Sequence, residues 1–129
     1  MIENLSQEQL AGILETIPVE ISFANEDHLV RFWNKHETRI FKRPAAVVGK
    51  SVENCHPKQS VGKVNKILSD FKAGKRDSAE FWIDLRGIKV YIRYFAVRDK
   101  NGRYLGTLEV GQDITGIKKI EGQKRLLDA

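Results

Sequence analysis

The sequence predicts an α+β fold: a five-stranded antiparallel sheet, a helical insert covering one of its faces, and a helix at each end. Three observations carry this. Two stretches near the N-terminus and three near the C-terminus alternate with the period of two expected of strands. The segment 35–75 between them instead places apolar residues at helical spacing. Short turns rich in Asn, Asp and Gly join neighbouring strands, and a sheet of this kind needs one face covered.

The first helix, within residues 1–17, is signalled by Ser6 and Gln9 at capping-box spacing. Leu10, Ile13, Leu14 and Ile17 form its apolar stripe, and Pro18 ends it. The strands "VEISFA" (19–24) and "HLVRFWN" (28–34) flank the turn Asn25-Glu26-Asp27. Val19, Ile21 and Phe23 are expected on one face of the first, Val30 and Phe32 on one face of the second. In the insert, Pro44 and Gly49 bracket a short helix. A longer helix spans about 60–73, with Val61, Val64, Leu68 and Phe71 as its buried stripe and Gly74 as its stop. Three strands follow: 78–85, 89–97 and about 103–112, joined at Arg86-Gly87 and Asn101-Gly102. A C-terminal helix is expected over 116–129, with Ile117, Ile120, Lys124 and Leu127 at heptad-like spacing.

Composition bounds the function. A chain of 129 residues supports one domain and one core. Its 41% hydrophobic and 30% charged residues suit a soluble globular protein. No apolar run approaches the roughly 20 residues of a membrane span, and Met1-Ile2-Glu3-Asn4 does not begin a secretory signal. The single cysteine, Cys55, excludes an internal disulfide. Together these features point to the cytoplasm. The net charge of +5 does not imply nucleic acid, because Lys and Arg are interleaved with apolar positions as on a solvated face. No catalytic motif is present: there is no phosphate-binding glycine loop, no His-Glu-x-x-His and no serine-nucleophile signature.

Three local features, in order, carry a family resemblance: Gly49 followed by His56-Pro57 ahead of the long helix, the hairpin "VRDKNGRYLG", and Asp113-Ile114-Thr115 after the last strand. With them the chain resembles a PAS (Per-Arnt-Sim) sensory domain from about Pro18 to Thr115. "NCHPKQSV", "DFKAGKRDSAEFWI", "IRYFAVRD" and "YLGTLEVGQDIT" resemble a bacterial and archaeal subfamily found alone or beside hemerythrin-like domains. Gly62 departs from that subfamily, where a larger and often polar residue is expected, and so does His36, in a segment that is usually small and acidic in character. The resemblance implies an 18–115 core and a terminal signalling or dimerisation helix. It also implies a small-molecule ligand in an apolar cavity, a homodimer, and a downstream signalling protein. Asp113, Ile114 and Thr115 would transmit the signal.

Phe23, Phe32, Phe41, Val48, Val52, Phe71, Phe81, Ile83, Leu108 and Val110 are the expected cavity lining. Arg93 and Tyr94 are expected polar handles, one of them pointing inward by strand alternation. Trp33 and Trp82 are expected on the outer face of the sheet. Some PAS domains hold heme through a histidine, which makes His36 and His56 axial candidates; a filled core with a purely structural dimerisation role is the other alternative. Cys55-His56 lacks the further ligands a zinc site needs; His56 reads as an anchor of the helix entrance and Cys55 as a small buried hydrophobe.

Overall fold

The computed structural model describes residues 1–43, 45–51 and 61–128. Helix α1 (Gln7–Thr16) starts on the expected capping box: Ser6 Oγ accepts from the Gln9 N–H and Gln9 Oε1 accepts from the Ser6 N–H. Its stripe is only partly covered, and Ile13 is 46% exposed. Strands β1 (Glu20–Asn25) and β2 (Val30–Trp33) follow, then a 3₁₀ turn at Ala45–Val47 and helix α2 (Val61–Lys72). Gly74, at φ +75°, closes α2 by donating to the Phe71 carbonyl. The chain ends in three long strands, β3 (Ser78–Leu85), β4 (Ile88–Arg98) and β5 (Tyr104–Asp113). Arg86 and Gly87 both have positive φ, as a two-residue hairpin turn between twisted strands requires.

The sheet order is β2-β1-β5-β4-β3, antiparallel throughout, which puts β5 at its centre. Directly paired residues share a face. One row across the sheet is therefore Ala79, Tyr94, Glu109, Ser22 and Trp33, and this face carries the core. There Ala24, Val30, Trp33, Val90, Ile92 and Tyr94 pack with Val64, Leu68 and Phe71 of α2. The adjacent row on the opposite face is Ser78, Phe95, Leu108, Phe23 and Phe32.

This register corrects three expectations. Phe23, Phe32, Leu108 and Val110 pair on the face away from α2, because β1 and β5 present their polar residues, Glu20, Ser22, Thr107 and Glu109, to the core side. Trp33 is 1% exposed on the core side, whereas Trp82 is 60% exposed on the outer face. In place of the C-terminal helix expected over 116–129, the described residues 116–128 hold a single 3₁₀ turn, Ile117–Lys119. Its N-cap, Gly116, supplies no side-chain bond, and Gly122 takes φ +63° a few residues on.

Gly106 leaves no room for a side chain. At φ +152°, a Cβ would sit 2.2 Å from the Ala24 carbonyl oxygen and 2.6 Å from Phe23 Cζ. Gly106→Ala is expected to destabilise the fold by about 3 kcal/mol or more. Gly12→Ala, in open space within α1, is expected to stabilise it by about 1 kcal/mol. Urea denaturation measures both; a Gly106→Ala protein as stable as the parent would contradict the β1–β5 register.

Candidate functional site: a cavity with a charged wall

Between the sheet and its helical cover lies a cavity of about 40 Å³. Ala24, Val30, Val64 and Leu68 supply apolar walls; Ser22, Arg43, Tyr94, Thr107 and Glu109 supply polar ones. The space suits a few water-sized groups.

A chain of buried charges builds the polar side. Arg39 and Glu20 are ion-paired at 3.6 Å, with side chains 2% and 5% exposed. Arg39 donates to the carbonyls of Ile21, Asn34 and Phe41 and to Ser22 Oγ. Glu20 accepts from the backbone N–H groups of Ile40 and Phe41. Ser22 Oγ also accepts from Arg43 Nε at 3.1 Å, and Arg43 Nη2 reaches Glu109 Oε2 at 3.0 Å. Two arginines of the insert thus meet two glutamates of the sheet, and the hydroxyl of Ser22 links the pairs. Burial lowers the Arg39 pKa from its ordinary value, an effect Glu20 opposes. Burial, with Glu109 beside it, raises the Tyr94 phenol far above its usual range, so it stays neutral.

Asp113-Ile114-Thr115 forms a hydrogen-bonded corner. The Ile114 N–H donates to the Lys89 carbonyl, and the Lys89 N–H donates to Thr115 Oγ1. Asp113 Oδ1 accepts from both the N–H and the hydroxyl of Thr115. These bonds fasten the end of central β5 to the start of β4; among the described residues, neither side chain caps a helix. Ile114 also borders a shallow outer groove with Trp82, Lys89, Tyr91 and Lys118.

Of the expected lining residues, Tyr94 borders the cavity from the core face, and Phe23 also borders it although it pairs with Phe32 and Leu108 on the opposite face. Phe71 is fully buried in the core, and Phe41 and Phe81 pack against it, Phe81 edge-on to Tyr94 at 5.3 Å. Ile83 and Val48 are substantially exposed. Tyr94, not Arg93, points inward; Arg93 lies on the outer face with its guanidinium over the rings of Tyr91 and Phe95. Among the described residues no histidine borders the cavity. His36 is exposed and lies against the Trp33 ring at 5.2 Å. Val52, Cys55 and His56 lie outside the described residues. A porphyrin does not fit this arrangement of described side chains.

Sequence reading missed Ser22, Ala24, Val30, Arg43, Val64, Leu68, Thr107 and Glu109 as cavity residues. A signal existed: Glu20, Ser22, Thr107 and Glu109 recur at spacing two within otherwise apolar strands.

Arg39→Met is expected to cost about 3–5 kcal/mol in denaturant unfolding, because it strands Glu20 as a buried charge. Adding Glu20→Gln should recover part of that loss. The Asp113 carboxyl is held below its ordinary range by the Thr115 hydroxyl and then the Thr115 N–H. A lowered carboxyl pKa stabilises above the unfolded value, about 3.9, and the benefit disappears as pH falls through the folded value. The corner is therefore complete at neutral pH and opens only in acid. Carboxyl-carbon NMR titration of Thr115→Ala should move the Asp113 midpoint up toward the ordinary range; an unchanged midpoint would refute the assignment.

A PAS-domain family model matches residues 10–115. No curated protein sequence matches the chain significantly. Among solved structures, a C-terminal domain from Streptococcus mutans is 37% identical, with a TM-score of 0.84 and 91% of each chain covered. The PAS domain of BvgS from Bordetella pertussis aligns at 19% identity and a TM-score of 0.62, covering 84% of this chain and 85% of that one. A sensory box sensor histidine kinase from Vibrio cholerae aligns at 11% identity and a TM-score of 0.59, covering 82% of this chain and 89% of that one. The last two share the fold alone. The matched span takes in all five strands and both helices but the first turn of α1, and the chain belongs to the PAS domain family.

Proposed function

We propose that the chain is a sensory PAS module. It holds a small molecule between the sheet and its helical cover, and passes occupancy to a signalling partner through β5 and the 113–115 corner. The observation that carries this reading is the Arg43–Glu109 pair. It stands on the cavity wall and joins the cover to the strand that ends at that corner. A guest that repositions either side chain acts on the sheet's central strand. Such a guest shifts the conformational equilibrium only as far as it prefers one arrangement over the other. The sensor kinase and BvgS domains that share the fold are consistent with this role. Membership of the subfamily found alone or beside hemerythrin-like domains, and a cytoplasmic setting, belong to the same reading. Among the described residues no helix is long and apolar enough to cross a membrane.

Self-association is the second part of the proposal. The partly uncovered α1 and the exposed Trp82 are its support, since apolar surface left open on a small domain favours docking. Native mass spectrometry tests both parts. The expected result is a dimer that loses a small co-purified mass on denaturation. Bare monomers, with amide NMR shifts that no metabolite mixture perturbs, would remove both the sensory and the dimeric reading.

A further inference from the structure

We infer that the cavity selects a short aliphatic monocarboxylate, and that Glu109 occupies the seat its headgroup would take. The inference rests on the cavity being a ligand site. Arg43 is nearly buried, its side chain 8% exposed, and it is oriented from one side by Ser22. Nε and Nη2 are engaged, by Ser22 and Glu109 respectively. A guanidinium presents its donors as a fork that matches a carboxylate bidentately. Glu109 meets that fork through one oxygen only.

The charge balance sets the condition for such a guest: an anion enters only in exchange for Glu109. Arg39, Arg43, Glu20 and Glu109 sum to zero, and Arg39 feels both Arg43 and Glu109. An added cation or a second retained anion would leave a buried charge unpaired, at high cost. Glu109 is the most exposed of the four, at 19%, so its carboxylate has the shortest way to water. Its departure also enlarges the cavity beside Ala24, Val30, Val64 and Leu68, where an alkyl tail of a few carbons finds apolar walls. Exchange breaks the one direct hydrogen bond between Arg43 and β5, four residues before Asp113. Occupancy thereby becomes a change in how the cover is tied to the central strand.

The test is amide NMR titration of the 129-residue chain with formate, acetate, propionate and butyrate, alongside propionamide and butanol at the same concentrations. Carboxylates of two to four carbons should bind, with shifts at Glu109 and the 113–115 corner, and the neutral compounds should bind at least about tenfold more weakly. Glu109→Gln, which keeps the shape but frees Arg43, should tighten carboxylate binding about tenfold. Arg43→Gln should abolish the preference for the anion. Equal or tighter binding of the amide or alcohol would overturn the carboxylate assignment and leave the cavity as a ligand site. Binding of neither class to the parent or to a folded Glu109→Gln protein would overturn both. Glu109→Gln serves as the arbiter should Arg43→Gln fail to fold.

Discussion

The buried contact between Arg39 and Glu20 is the constraint on which the architecture depends. An isolated charge in that position would be strongly destabilising, and even a matched pair recovers its desolvation only when the remaining donors and acceptors are bonded. Here they are: three backbone carbonyls and a hydroxyl surround Arg39, and two backbone N–H groups of the insert bind Glu20. Among the described residues between Lys35 and Lys50 the insert contributes little regular structure, so these bonds substitute for the ladder hydrogen bonds a strand or helix would supply. They set where the cover sits over the sheet, and hence that a space remains beneath it.

The same cluster connects the anchoring of the cover with the cavity wall. Ser22 receives both arginines, so the pair that anchors the cover and the pair on the cavity wall share one atom. Arg39 and Glu20 are almost inaccessible, whereas Arg43 and Glu109 face the cavity. One pair is sealed in the core, and the other stands on the cavity wall. Strand β5 is central, hydrogen-bonded to β1 on one side and β4 on the other, so Glu109 sits on the strand that joins the two halves of the sheet. Its far end is fastened to Lys89 by the 113–115 corner, whose Asp and Thr side chains bond within the corner and to β4 and cap no helix among the described residues.

The outer face answers to different chemistry. Glu80, Arg93, Val110 and Ile21 form one row across it, with Arg93 laid over Tyr91 and Phe95 and Tyr91 bonded to Glu80. Aromatic and charged groups interleave there, while Ile21 and Val110 are buried. Its mixture of rings and charges contrasts with the charge-lined hollow behind it.

The order of elements, the five strands, the α1 capping box and the turns at Gly74, Gly87 and Gly102 were legible in the sequence. Each rests on local backbone preference or on periodicity over a few residues. The family, too, was readable from short motifs spread from Gly49 to Thr115. Which side of each strand faces the cavity was not. Hydrophobic alternation directed Phe23, Leu108 and Val110 inward, but β1 and β5 turn Glu20, Ser22, Thr107 and Glu109 to the core side. Arginines from a segment some 20 residues away in sequence from β1 pair with Glu20, Ser22 and Glu109, and the Tyr104 hydroxyl pairs with Thr107. The tail after Thr115 likewise lacked a packing partner to hold a helix. Local propensity therefore determined the elements, and long-range pairing of charges decided which faces they turn inward and what the cavity is made of.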